Sequence, residues 1–168
     1  MHLWLIGMMG VGKTRVGRMV AERARLPFHD TDDEVVARVG CSISELWRDR
    51  GEAAFRDLET DTVVRLAAGP AAVIATGGGV VLEPRNVAAM RDSGLVVWLE
   101  ASPRTLAERV GDGAGRPLLA AADPERRLAD ILRRRRRHYA RAAHLRVSTD
   151  DRDPDEVAEE VWKAWTAS

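Results

Sequence analysis

The stretch Leu3-Trp4-Leu5-Ile6-Gly7-Met8-Met9-Gly10-Val11-Gly12-Lys13-Thr14 decides how the rest of the chain is read. From Gly7 to Thr14 it satisfies the pattern G-x-x-x-x-G-K-[ST] at every fixed position. The apolar run Leu3–Ile6 before it predicts a buried strand. After it, Val16, Met19, Val20 and Ala24 recur at helical spacing as far as Arg25. Strand, glycine loop and helix, in that order, are the context in which the pattern cradles phosphates. Glycines let the backbone turn successive N–H groups inward, and the positive end of the following helix adds to the same nest. Lys13 is expected to reach the β- and γ-phosphates and the Thr14 hydroxyl to ligate Mg²⁺. A nucleoside triphosphate site follows from these residues alone.

Composition narrows the class. A chain of 168 residues with 45% hydrophobic and 31% charged residues is expected to be one soluble domain with a proper core. The formal net charge is zero, which argues against a nucleic acid or a membrane surface as partner. Lys13 and Lys163 are the only lysines among 26 basic residues, so Arg is the default cation here and any single Arg carries little information. One cysteine, Cys41, suits a reducing compartment, and the apolar N-terminal run is too short for a signal or membrane helix. A cytoplasmic protein is expected.

Further along, Pro27 ends the first helix, and Phe28-His29 reads as a short strand carrying Asp30 and Asp32 at its carboxyl end. If the chain stays extended, period two puts both carboxylates on one side, beside the triphosphate. Equally, Asp32 or Asp33 could cap a helix opening at Glu34. Ser42-Ile43-Ser44-Glu45 is a capping box for a short helix through Trp47 to Gly51, and a longer helix spans Glu52 to Ala68. Within it Arg56 and Glu59 lie three apart and can pair, or Arg56 can simply be solvated. Ala72–Thr76 predicts a core strand running into Gly77-Gly78-Gly79, either a plain turn or a backbone that something approaches closely. Pro84 and Gly94 bound another helix, Leu95–Leu99 is a third buried strand, and Ser102-Pro103 starts a helix ending at Val110. The glycine-spaced run from Gly111 to Leu119, with Arg116 near its end, reads as a closing lid or as a surface loop. Pro124 opens a helix containing Arg133–Arg137, five arginines that wrap more than one turn and cannot all face one partner. His144–Ser148 is the last strand, and Asp153-Pro154-Asp155-Glu156 caps the terminal helix. The alternation predicts a three-layer α/β domain with a mostly parallel sheet. The histidines show no metal-ligand spacing.

In this order the residues resemble the shikimate kinases, in the nucleoside-monophosphate-kinase branch of the P-loop fold. Six features carry the resemblance: the loop Gly7–Thr14, Asp30-Thr31-Asp32, Phe55-Arg56-Asp57-Leu58-Glu59, Gly77-Gly78-Gly79, Gly115-Arg116-Pro117-Leu118-Leu119, and an arginine before Tyr139. The resemblance implies one domain over 1–168, with a five-stranded parallel sheet of order 2-3-1-4-5, a substrate region near 32–60 and a lid near 111–123. It implies transfer of the ATP γ-phosphoryl group to the 3-hydroxyl of shikimate, with Mg²⁺, by a monomer. Lys13, Asp32 and Arg116 would be the catalytic groups, with Asp32 activating the hydroxyl. Gly10, Val11, Gly12, Lys13, Thr14 and Arg15 would hold the phosphates, and Arg109, Arg152 and Pro154 would surround the adenine. Thr14 and Asp30 would serve the metal. Arg56 and an arginine near position 135 would clamp the shikimate carboxylate. Gly77, Gly78 and Gly79 would meet the ring, and Trp47 and Phe55 would line the apolar wall.

The chain departs from the family pattern in three places. Arg15 replaces a hydroxyl residue, Thr14 replaces serine, and Arg137-His138 replaces Pro-Leu before Tyr139. Counting back from Tyr139 favours Arg135 for the clamp, with Arg136 as fallback. Two other readings stand beside this one. The first is a related kinase acting on gluconate or a cyclitol. The second is a non-catalytic nucleotide-binding module using the arginine run on nucleic acid, against which zero net charge and the wrapping of that run both count.

Overall fold

The protein is described from a computed structural model, which covers residues 1–111 and 123–168. The run from 112 to 122, and with it Arg116 and most of the expected lid, lies outside the described residues.

The first strand, β1 (His2–Ile6), is buried at all five positions, as the apolar run Leu3–Ile6 requires when helices cover both faces of a sheet, and His2 accepts from the Ala72 N–H. It pairs in parallel with β3 (Val73–Ala75) on one side and β4 (Gly94–Glu100) on the other. The edges are β2 (Phe28–Asp30), beside β3, and β5 (Leu145–Ser148), beside β4. The resulting order is β2-β3-β1-β4-β5, all parallel, which is the order expected from the resemblance. β5 is the less buried strand foreseen, with exposed residues at two of its four positions.

Among the described residues seven helices connect these strands: α1 (Lys13–Ala24), α2 (Thr31–Val39), α3 (Ile43–Ala67), α4 (Pro84–Ser93), α5 (Pro103–Val110), α6 (Pro124–Ala142) and α7 (Pro154–Thr166). Local signals mark most of their ends. Ser42 and Glu45 close a capping box on α3, Asp153 and Glu156 another on α7, and Pro occupies the first turn of α4, α5, α6 and α7. Gly51, at φ 80 and ψ 168, breaks α3 into the short and long helices that the sequence predicts.

Two hydrophobic clusters result. The larger joins the sheet to α1, the far end of α3, α4, α5, α6 and α7. The smaller, around Val35, Leu46 and Phe55, holds α2 to α3 and is bordered by Ile43, Trp47 and Leu58. The main sheet thus carries the glycine loop, and a separately packed helical pair faces it across the carboxyl ends of β1 and β3. Sequence order reverses on either side of β1, so the crevice where ligands bind in open α/β sheets opens at this point.

One local expectation needs correction. The chain does not stay extended through Asp32, and neither Asp32 nor Asp33 is the cap. α2 starts at Thr31, and Asp30 caps it, its Oδ1 accepting from the Asp32 N–H at 3.1 Å. An Asx cap satisfies an end N–H two residues on, so the first of the three aspartates wins the role.

Candidate active site

The glycine loop leaves β1 with Gly7, Gly10 and Gly12 at φ 141, 80 and 100, and Gly12 is the N-cap of α1. Gly10 has a second constraint, because a Cβ there would lie 2.6 Å from Val110 at the end of α5. The loop is therefore pressed against α5 while its N–H groups crown α1. Lys13 is nearly buried, and its Nζ donates to the carbonyls of Gly7 and Met8 at 2.9 Å each, which curls the side chain back over the loop. The Thr14 hydroxyl donates to Asp30 Oδ2 at 2.9 Å. Asp30 thus joins two tasks, capping α2 with one oxygen and accepting from the Thr14 hydroxyl with the other.

A cleft of about 510 Å³ opens here. Gly10, Gly12, Lys13, Thr14 and Arg15 line one end. Asp30, Asp32, Gly77, Gly78 and Gly79 form the floor, and Trp47, Phe55, Arg56 and Arg135 close the other side. Val11 is a core residue instead, its side chain buried. Arg109, Arg152 and Pro154 stand apart from the cleft, grouped at the carboxyl end of β5. Arg109 donates to the hydroxyl and carbonyl of Thr149 at 2.9 and 2.8 Å, Arg152 to the Ser148 carbonyl at 3.1 Å and Glu160 at 2.6 Å, and Pro154 begins α7.

The triple glycine is no plain turn. A Cβ on Gly77 would sit 2.6 Å from Glu59 Oε1 and 2.7 Å from Asp32 Oδ1, and one on Gly79 would strike the Arg56 guanidinium. Three charged side chains therefore converge on bare backbone, and neither carboxylate oxygen has a hydrogen-bond partner among the described residues. Burial is the main cause that raises the Asp32 pKa, to about 6, reinforced by the charges of Asp30 and Glu59 and opposed by Lys13 and Arg56. Its basicity is thus matched to work near neutral pH.

Arg56 is not a solvated helix arginine. It pairs with Glu59 at 2.8 Å and Glu52 at 3.1 Å, with its guanidinium carbon 5.1 Å from the Phe55 ring centre and 5.9 Å from that of Trp47. Burial works against its charge, but Glu59 and Glu52 outweigh it and raise the pKa. Glu59, 1% exposed, is pushed up by burial, while Arg56 and Arg135 pull it back. Within the run Arg133–Arg137 of α6, Arg135 turns inward and lines the cleft, whereas Arg136 pairs with Glu100 at 2.9 Å on the outer side.

Glu59, Ile43, Thr76 and Met9 also line the cleft and were not among the expected site residues. For Glu59 a signal existed, its spacing of three from Arg56. Met9 sits in the glycine loop at a position the pattern leaves open, and Ile43 and Thr76 look like ordinary helix and strand positions.

Thr14 and Asp30 suit a hard divalent cation, since both offer oxygen donors, and the described residues contain no cluster of three His, Cys, Asp or Glu that would hold a metal by themselves. A divalent cation held by these two oxygens would take its remaining ligands from phosphates and water, as Mg²⁺ commonly does. No helix among the described residues is long and apolar enough to cross a membrane.

Comparison with known proteins agrees with this geometry. A shikimate kinase from Symbiobacterium thermophilum is 47% identical over 163 residues, covering 96% of this chain and 94% of that protein. One from Moorella thermoacetica is 43% identical, covering 99% and 97%. The solved structure of a shikimate kinase from Acinetobacter baumannii in complex with shikimate superposes with a TM-score of 0.95 at 32% identity, over 99% of this chain and 93% of that one. The sequence model for the family described as shikimate kinase matches residues 9–166. By sequence over nearly its whole length and by the P-loop kinase fold, the chain belongs to the shikimate kinase family.

Proposed function

We propose that the chain transfers the γ-phosphoryl group of ATP to the 3-hydroxyl of shikimate, giving shikimate 3-phosphate and ADP, as a monomeric single-domain enzyme of the cytoplasm. One observation carries the reading: Lys13 and Asp32 share a single cleft with Arg56 and Arg135. A phosphate cradle and a pocket for a hydroxylated anion then lie close enough for in-line attack.

Each residue has its share of the work. The loop N–H groups from Gly10 to Arg15 bind the phosphates, and Lys13 exchanges its loop carbonyls for the β- and γ-phosphate oxygens. Thr14 and Asp30 would hold Mg²⁺, which would supply neutralisation of phosphate charge. Arg56 and Arg135 clamp the carboxylate, because paired guanidiniums match its geometry. Trp47 and Phe55 exclude water from the apolar side of the ring, and the backbone of Gly77 to Gly79 meets its other face. Asp32 accepts the proton of the 3-hydroxyl, whose oxygen bonds to the γ-phosphorus as the bond to the bridging oxygen of ADP breaks. Such transfer asks the protein mainly for positioning and charge stabilisation. Arg116, outside the described residues, would serve the same charge, and Arg109, Arg152 and Pro154 surround the adenine.

A coupled ADP-release assay with ATP, Mg²⁺ and a panel of shikimate, gluconate and a cyclitol tests this. Turnover with shikimate well above the other acceptors is expected. Equal or greater turnover with another acceptor would refute the substrate, and none with any would refute the kinase reading.

A further inference from the structure

We propose that Tyr139 is a positioning residue for the acceptor half of the cleft, acting through the Gly78 carbonyl and Arg135 and held in place by Trp98. The inference rests on the reading of that half of the cleft given above.

Tyr139 follows Arg135 by four residues on α6, so the two lie one turn apart on its inner face. Its ring is fully buried. A buried hydroxyl is costly unless both its donor and acceptor capacities are used, and phenylalanine would fill the same space without that cost. Here both are used. The hydroxyl donates to the Gly78 carbonyl at 2.5 Å, a contact spanning 61 residues of sequence, and its oxygen accepts a hydrogen bond from Arg135. One atom thus ties the arginine of the acceptor side to the glycine floor.

The consequence for the floor follows from peptide geometry. The described residues contain no cis peptide, and in a trans peptide the C=O and N–H point in opposite directions. Drawing the Gly78 oxygen toward Tyr139 turns the Gly79 N–H the other way. Gly79 has no side chain to limit rotation of its backbone, and the Arg56 guanidinium lies directly against it. Without the Tyr139 tether, the peptide that faces Arg56 would be free to turn.

Tyr139 is itself braced. Its ring stacks on Trp98 at 5.6 Å between centres and 21° between planes. Trp98 in turn lies 5.8 and 5.3 Å from the guanidinium carbons of Arg136 and Arg146, and both arginines pair with Glu100. Arg136, next to Arg135 on α6, thereby anchors that helix to β4, and Arg146 of β5 shares the same Glu100. Burial holds the Tyr139 hydroxyl at a pKa of about 12, so it remains a donor throughout any practical assay range.

The test is steady-state kinetics of Tyr139→Phe, which keeps the stack and the volume. The KM for shikimate should rise about tenfold, the scale of a lost buried hydrogen bond, with kcat and the KM for ATP within about twofold. The ratio to wild type should not change between pH 6.5 and 9. A KM for shikimate within twofold of wild type in a folded variant would overturn the proposal, and so would equal losses for both substrates, which would mark a merely structural residue. Trp98→Phe, which keeps the hydroxyl but loosens its support, should raise the same KM by a smaller factor, and an unchanged value would also count against the proposal. If wild type itself fails on shikimate, the substrate assignment falls first, and the Tyr139 effect is then read on whichever acceptor of the panel is turned over.

Discussion

Replacing Asp32 by asparagine should make the protein more stable while removing its activity. The carboxyl is largely buried, and its pKa is raised from 3.8 to about 6. The folded chain therefore binds this proton more tightly than the unfolded chain does. The contribution of Asp32 to stability is fully present below about pH 3.8 and is lost as pH rises through about 6. A rise of that size corresponds to about 3 kcal/mol, complete by pH 8 and about half developed at pH 5. An asparagine side chain carries no such penalty. Its amide can also donate toward Glu59 Oε1, which lies with Asp32 Oδ1 around Gly77 and has no partner among the described residues. For a domain of this size the gain amounts to roughly 6–12 °C in Tm at pH 8, and clearly less at pH 5. Thermal unfolding at the two pH values, beside ADP release, measures both halves. A variant no more stable than wild type at pH 8, or a gain that does not shrink toward pH 5, would refute the burial argument. Retained turnover would remove Asp32 as the base.

Further outcomes follow from the same geometry. The kcat/KM of the wild-type enzyme should rise with pH through an apparent pKa near 6 and level off above it, because Asp32 acts ionised; a profile flat from pH 5 to 8 would exclude it as the titrating group. Lys13→Met should lose turnover by at least about a thousandfold with the fold kept by circular dichroism, since the side chain serves the loop and phosphates rather than the core. Arg135→Ala should raise the KM for shikimate roughly a hundredfold, whereas Arg136→Ala, on the Glu100 side of the helix, should change it less than about threefold; the reverse ranking would mean that the wrong arginine has been placed in the cleft.

Amino-acid order alone was enough for whatever depends on near neighbours. The loop Gly7–Thr14 was legible because its function is a property of one backbone segment between a strand and a helix. The capping residues Ser42, Glu45, Asp153 and Glu156 and the break at Gly51 were legible for the same reason, since each acts within four residues. Tertiary structure decided what depends on which side of an element is pressed against another. Arg133 to Arg137 step around a helix by about 100° each, so helical periodicity alone does not say which points inward, and only the count back from Tyr139 favoured Arg135 over Arg136. Docking of α6 against β4 settles it, turning Arg135 into the cleft and Arg136 toward Glu100. Glu59 reads as a helix-surface acid and proves buried, because α3 presents that face to the triple glycine. The basicity of Asp32 is likewise a tertiary property. It arises from desolvation and from charges brought near by folding, and neither exists in the chain before the cleft closes around them.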